Sequence, residues 1–296
     1  MEHIITVFTP TYNRAHTLSC LYDSLKAQSS FQFEWLIVDD GSTDETENII
    51  RQFQAECTFF PIHYHKQKNG GKHTAINTGI GLAKGFLFFI VDSDDYLIQD
   101  AIEMIFLWES SISSEERFAG VSGNRGYSSN ELIGETFDGD YIDATALERD
   151  KYHIIGDKAE VYYTDIIKRY PFPVFEKELF LTESVVWNRI AVDGYKIRWV
   201  NRIIYITEYR EDGLTKQYVQ LLANNPKGYA LSVKESVQQY SYSKRRVDSE
   251  FFNYFMTVRE NISFAEAAKN LEISRFQLGK SIVRYYFSVL VRKVTK

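Results

Sequence analysis

Apolar positions in the first half of the chain alternate between two periods. Short β-branched or aromatic runs stop at acidic, Gly or Asn turns, and most are followed by a stretch with helical spacing. Residues 4–9 form the first such run and read as a buried strand, with a helix over 18–28 behind it. Residues 35–38 predict a second strand that runs into the turn Asp39-Asp40-Gly41. Ser42 and Glu45 then stand at capping-box spacing for a helix to about residue 53. A short strand over 62–65, the turn Asn69-Gly70-Gly71 and a helix over 72–82 follow. The most apolar strand, 86–91, ends at Asp92-Ser93-Asp94-Asp95. A helix over 100–108 and a strand over 118–123 complete this half.

From residue 126 to 150 the pattern weakens and irregular structure is expected. Helices near 158–169 and 184–192 precede strands near 196–200 and 203–207, and 209–215 reads as a connecting loop. Beyond residue 216 strand signals stop. Ser263 and Glu266 make another capping-box spacing, and Ala265, Ala268 and Leu271 line one helical face. The expected fold class is α/β, a mainly parallel sheet flanked by helices over 1–215, with a helical C-terminal extension over 216–296.

A net charge of −6 does not supply the basic face of a nucleic-acid binder, so no nucleic-acid partner is expected. Basic residues do cluster locally at Lys244-Arg245-Arg246 and at Arg292, Lys293 and Lys296. These could meet a membrane surface or an anionic acceptor, or be an ordinary solvated face. Cys20 and Cys57 have no metal-ligand spacing and fit reduced thiols in a cytoplasmic protein. The first residues run straight into a strand, so no signal peptide is read, and work at a membrane would be peripheral, from its inner face.

The candidate chemistry lies at strand ends. Three carboxylates in Asp92-Ser93-Asp94-Asp95 repel one another unless a cation or solvent neutralises them, and Mg²⁺ is often held by one or two carboxylates plus substrate phosphates. Asp39 and Asp40 end another strand, and in a parallel sheet both acidic turns face one edge; the alternative is a turn in which Asp40 serves only the backbone. Tyr12 and Arg14 follow the first strand, where an aromatic ring could stack on a base and a guanidinium could meet phosphate. The Gly70-Gly71 turn with Lys72 and His73 lacks both a P-loop ending and the Rossmann fingerprint, which argues against an NTPase or a dehydrogenase.

Four ordered segments resemble the signatures of family 2 glycosyltransferases. They are Thr9-Pro10-Thr11-Tyr12-Asn13-Arg14, Val38-Asp39-Asp40-Gly41-Ser42-Thr43-Asp44, Asn69-Gly70-Gly71 with Ala75-Ile76-Asn77-Thr78-Gly79, and Asp92-Ser93-Asp94-Asp95. The likeness spans roughly residues 3–100 and continues more loosely to about 215. It implies a GT-A fold and an inverting transfer from a nucleotide-sugar donor, with uracil as the expected base. Thr9, Thr11, Tyr12 and Arg14 would surround the nucleotide, Asp39 and Asp40 the base, and Lys72 the diphosphate. Asp92 would lie near the ribose, Asp94 would bind Mn²⁺ or Mg²⁺, and Ser93 and Asp95 would be their neighbours. The acceptor, a saccharide or lipid-linked, needs a general base. Glu183 matches the first of two acids that the family often places there, Ser184 replaces the second, and Asp165 and Asp157 are reserves; a capped helix start is the structural alternative for Glu183. Arg210 could pair with phosphate, and Asp157 could border the acceptor.

Two rival classes stay open. A sugar nucleotidyltransferase also needs metal and nucleotide, but would carry a Gly-rich, Arg/Lys-bearing loop where Pro10-Thr11-Tyr12-Asn13 stands. A binding protein without transferase activity is the other, since residues 263–284 faintly resemble a helix-turn-helix. The C-terminal helices could equally contact an acceptor, a homodimer partner or a membrane surface.

Overall fold

The computed structural model describes residues 2–113, 116–208 and 217–294. Two compact units divide them. One holds residues 1–172 and 186–209, the other 173–185 and 210–296.

The first unit opens with β1 (Glu2–Thr11), α1 (Leu18–Lys26), β2 (Phe33–Asp39), α2 (Thr46–Glu56), β3 (Ile62–Lys66), α3 (Lys72–Leu82) and β4 (Gly85–Ile90). It continues with β5 (Tyr96–Leu97), α4 (Ala101–Ser110), β6 (Phe118–Ser128), β7 (Glu131–Leu132), β8 (Tyr141–Ala144) and a 3₁₀ helix (Ala146–Tyr152). Then come β9 (Lys158–Tyr163), α5 (Thr164–Ile167), α6 (Ser184–Val192), whose first residues belong to the other unit, and β10 (Lys196–Ile206).

The sheet runs in the order β3-β2-β1-β4-β9-β6-β10-β5. β3, β2, β1 and β4 are mutually parallel. β9 is antiparallel to both β4 and β6, and β6 is parallel to β10. The ends of β1, β2, β3, β4, β6 and β10 therefore all reach one edge, and that edge carries the candidate chemistry. Trp35, Leu87, Phe89, Val121, Val161 and Tyr205 pack in one buried cluster with Leu21 and Leu25 of α1 and Ile105 of α4. β2 is buried at every position, which explains why residues 35–38 form a continuous apolar run instead of alternating.

Three expectations are corrected. Residues 158–163 are a strand in the middle of the sheet, not a helix. Ala159 and Val161 enter the core while Lys158, Glu160 and Tyr162 point to the other face, a period of two that a four-residue helix then ends. Residues 196–206 are one strand with a register shift between Trp199 and Ile203, where two strands are expected. The weakly patterned stretch 126–150 carries β7, β8 and a 3₁₀ helix capped by Thr145 and Glu148.

The second unit holds α7 (Tyr218–Asn224), α8 (Pro226–Gln239), α9 (Lys244–Val258), α10 (Phe264–Asn270) and α11 (Arg275–Val294). Ala230, Val233, Phe251, Tyr254, Val258, Ala267, Ala268, Leu271 and Leu278 make its core. Ser263 caps α10 by accepting from the Glu266 N–H at 3.2 Å. The segment 173–185 joins this unit through Glu178, whose two carboxylate oxygens accept from the Lys227 and Gly228 amides at 2.9 and 2.8 Å. The expected extension is contiguous; the observed unit draws on residues from earlier in the chain.

Candidate active site

β1 ends between β2 and β4. Thr11 pairs with Asp39, and the Val91 N–H donates to the Phe8 carbonyl at 2.8 Å. The loops that leave these strands are latched together. The Asn13 N–H donates to Ser42 Oγ at 2.8 Å, and Asn13 Oδ1 accepts from the Thr43 N–H at 2.8 Å. Asn13 holds φ 53°, a conformation that Asn tolerates better than most residues. Ser42 is therefore not the helix cap its spacing predicts. α2 begins at Thr46, whose N–H donates to Asp44 Oδ1 at 3.1 Å, because the Ser42 hydroxyl serves the neighbouring loop.

Asp39 and Asp40 are both buried. Asp39 accepts from the Ser42 N–H and the Tyr64 hydroxyl, each at 2.7 Å. Burial, then the bond to Asp39, pushes the Tyr64 phenol well above its usual range. Asp40 accepts from the Gly70 and Gly71 amides at 2.9 and 2.7 Å and from Gln67 Nε2 at 2.8 Å. It thereby fixes the glycine turn in front of α3. Gly71 stands at φ 87°, and a Cβ on Gly70 would lie 2.5 Å from Thr74 Oγ1, so this turn needs both glycines.

The third loop is the acidic one. Lys72, opening α3, pairs with Asp92 Oδ1 at 2.6 Å. Arg125 on β6 lies 3.6 Å from Asp92 and 3.7 Å from Asp95, with its guanidinium carbon 4.0 Å from the centre of the Tyr205 ring. The Tyr205 hydroxyl donates to Asp95 Oδ2 at 2.7 Å and accepts from the Asp92 N–H at 2.9 Å. The Glu208 N–H donates to Asp95 Oδ1 at 3.0 Å. Burial opposes ionisation of Asp92, but Lys72 and Arg125 outweigh it and the carboxyl lies below its ordinary range. Asp95 is pushed up to about 7 by burial and by the Asp92 charge. Asp94 is half-buried and also raised, by burial and then by Asp92, against the pull of Arg14 and Lys72.

Burial also leaves polar atoms without partners here. Thr11 Oγ1, His73 Nδ1 and Thr207 Oγ1 are buried and have no hydrogen-bond partner among the described residues. All three flank the edge, on β1, at the start of α3 and just after β10. Such atoms call for a polar ligand or water.

The donor set fits a divalent cation. Asp94 is a carboxylate whose anion is disfavoured by its neighbours, and a cation would relieve that. No group of three or more His, Cys, Asp or Glu side chains converges among the described residues. One or two carboxylates completed by phosphate oxygens is the Mg²⁺ pattern rather than a cage made wholly by protein.

The other expected residues divide. Ser93 is buried within the acidic loop and Tyr12 is exposed beside it. Thr9 turns into the core, where its hydroxyl accepts from Trp35 Nε1 at 2.9 Å. Asp157 is exposed just before β9, at the same edge as the acidic loop. Asp165 follows the far end of β9, where Thr164 Oγ1 donates to the Gly85 carbonyl at the start of β4, so it lies at the opposite edge. Glu183 stands before α6 in the second unit, where the Thr182 and Ser184 hydroxyls lie 3.1 Å apart. Arg210 and the loop 209–215 lie outside the described residues. Arg125, Tyr205 and Tyr64 were not expected. Arg125 had one signal, an arginine between small residues at the end of a strand; the tyrosines had none.

This edge, with its two acidic loops, lysine-bearing helix start and mostly buried arginine on a Rossmann-like sheet, belongs to a fold of the GT-A class. Residues 6–110 match the family described as Glycosyl transferase family 2. It is 30% identical over 222 residues to Glycosyltransferase GlyA of Streptococcus pneumoniae serotype 4, covering 74% of this chain and 28% of that protein. To the chondroitin synthase of Escherichia coli it is 34% identical over 101 residues, 34% of this chain and 14% of that one. The chain thus spans under a third of the length of these two curated relatives. Among solved structures, S. aureus TarS 1–349 in complex with UDP-GlcNAc aligns with a TM-score of 0.64 at 19% identity, covering 87% of this chain and 74% of that one. The mannosyltransferase PcManGT from Pyrobaculum calidifontis, in complex with GDP-Man and Mn²⁺, aligns at 0.56 and 16%, covering 97% and 75%. At these identities the structural likeness is one of fold.

Proposed function

We propose that this chain is an inverting glycosyltransferase that moves a sugar from a UDP-sugar to a saccharide or lipid-linked acceptor, in the synthesis of a cell-surface polysaccharide or glycoconjugate. The observation that carries the reading is the shared edge. Asp39, Asp40 and Asp92 stand at the ends of β2 and β4 with the unpartnered Thr11 hydroxyl at the end of β1 between those strands, and Lys72 and Arg125 meet Asp92 from α3 and β6. In this reading Tyr12 stacks on the base and Thr11 binds the nucleotide. Asp39 keeps lone pairs for the uracil N–H beyond the two bonds it makes. Arg14, Lys72 and the start of α3 face the diphosphate, as helix N-termini suit anions. Asp94 holds Mn²⁺ or Mg²⁺, and when bound that ion offsets charge building on the leaving diphosphate. Glu183 takes the proton of the acceptor hydroxyl as its oxygen attacks the anomeric carbon and the nucleoside diphosphate departs, which inverts that centre. Arg210 pairs with the departing phosphate.

Incubation with a panel of UDP- and GDP-sugars and Mn²⁺ tests this, with free nucleoside diphosphate as the readout. Release of pyrophosphate from sugar 1-phosphate and UTP, with no transfer, would establish the nucleotidyltransferase instead. Asp94→Asn is expected to abolish metal-dependent turnover by at least about a hundredfold while the fold persists. Unchanged turnover removes the metal assignment. Glu183→Gln should leave UDP-sugar binding intact and slow transfer about 10²- to 10⁴-fold; normal transfer assigns the base elsewhere.

A further inference from the structure

We propose that the outer face of α11 is a docking surface for anionic lipid, laying the helical unit on a negatively charged membrane. The inference stands on this helix and not on the transfer reaction.

The inner face of α11 is fixed. Leu278 and Ser281 are buried, Tyr285 packs on Phe252 with ring centres 5.0 Å apart, and Arg284 Nε donates to Asp248 at 2.8 Å. That orientation turns the opposite face to solvent. Phe276, Val283 and Phe287, spaced seven and four residues apart, fall on one stripe and are 79%, 53% and 59% exposed, with Tyr286 beside them at 55%. Exposed Arg275 and Lys280 accompany the stripe, and Lys280 Nζ lies 6.0 Å from the centre of the Phe276 ring.

Charge chooses the occupant. Beside Arg284, which is paired with Asp248, residues 275–296 hold five basic residues, Arg275, Lys280, Arg292, Lys293 and Lys296, and no Asp or Glu, in a chain whose net charge is −6. A symmetric contact with a second copy would bring two such basic segments together, whereas an anionic bilayer complements them. Aromatic and aliphatic side chains beside basic ones, along one face of a long helix, suit the boundary between headgroups and acyl chains. No helix among the described residues is long and apolar enough to cross a membrane, so the contact is peripheral.

The test is flotation of the full chain with vesicles of phosphatidylcholine alone or mixed with phosphatidylglycerol at about 3:1, in about 0.15 M salt. Binding should be at least about tenfold stronger to the mixed vesicles and should weaken at about 0.5 M salt. The double variants Phe276→Ser/Phe287→Ser and Arg275→Glu/Lys280→Glu should each lose about tenfold or more in vesicle binding. The thermal midpoint should stay unchanged, since these exposed side chains lie outside the core of the helical unit. Equal binding to both vesicles, no binding, or binding indifferent to both variants overturns the proposal. So does a dimer in solution that the serine variant dissolves, since the stripe then belongs to a second copy. Absence of donor turnover in every version would count against the reaction alone and leave the vesicle result to be judged by itself.

Discussion

Arg125 is the residue on which the acidic loop depends. It stands between Asp92 and Asp95 and against Tyr205, mostly out of solvent. Replacing it by Leu leaves Lys72 on Asp92 as the remaining basic partner of the pair and Asp95 without one, which should cost about 3–5 kcal/mol in denaturant unfolding. Adding Asp95→Asn should restore part of that loss; a cost below about 1 kcal/mol would mean solvent already neutralises the pair. Lys158 offers a pH test. It is buried and donates to the Glu135 carbonyl at 3.0 Å, and burial, then Arg149, lowers its pKa to about 8. The native state therefore binds fewer protons than the unfolded chain between about pH 8 and 10, so stability should rise with pH across that window. Measured against Lys158→Met, wild type should gain on raising pH from 8 to about 10; parallel curves would show that the lysine is solvated. Neither role was readable locally. Asp92, Asp94 and Lys72 announce themselves by type and position, but Arg125 and Tyr205 matter because β6 and β10 run alongside each other far from the acidic loop in sequence.

At the scale of elements, α3 shows how packing overrides propensity. Gly79 lies against β1, where a Cβ would fall 2.2 Å from Phe8 Cε2, and that ring is stacked on Phe88 at 5.0 Å. Gly81, two residues on, has nothing within 4 Å of its Cβ position. Gly79→Ala should therefore destabilise by about 1–3 kcal/mol, while Gly81→Ala should stabilise by about 0.5 kcal/mol, as read from urea midpoints. Equal effects would mean helix propensity alone governs α3. The same conflict explains the misread segment. Lys158-Ala159-Glu160-Val161-Tyr162-Tyr163 is short and partly charged, and helix formers fit it as well as strand formers. Pairing with β4 and β6 on both sides makes it a strand, and periodicity within six residues does not contain that information.

At the scale of the molecule, the helical unit takes part of its structure from residues 173–185. Glu178 is buried and meets the first free amides of α8, where a carboxylate also complements the helix dipole. Asn225 Oδ1 accepts from the Leu179 and Phe180 amides at 2.7 and 3.1 Å. Glu178→Ala should cost about 1–2 kcal/mol and speed hydrogen exchange at the Lys227 and Gly228 amides ahead of the rest of α8. Unchanged exchange there would show that the segment merely lies against the unit.

By itself the sequence determined the class of fold, the succession of the longer strands and helices through residue 110, with β5 missed, and the candidate chemistry at the acidic turns. Those follow from local causes: apolar runs of strand length, helical periods and turn residues whose chemistry does not depend on what lies far away. Tertiary structure alone decided that β9 runs backwards through the sheet, that Arg125 and Tyr205 close around Asp92 and Asp95, and that residues 173–185 build the helical unit. Each of these is a contact between segments distant in the chain, chosen by burial and charge compensation rather than by neighbours in sequence.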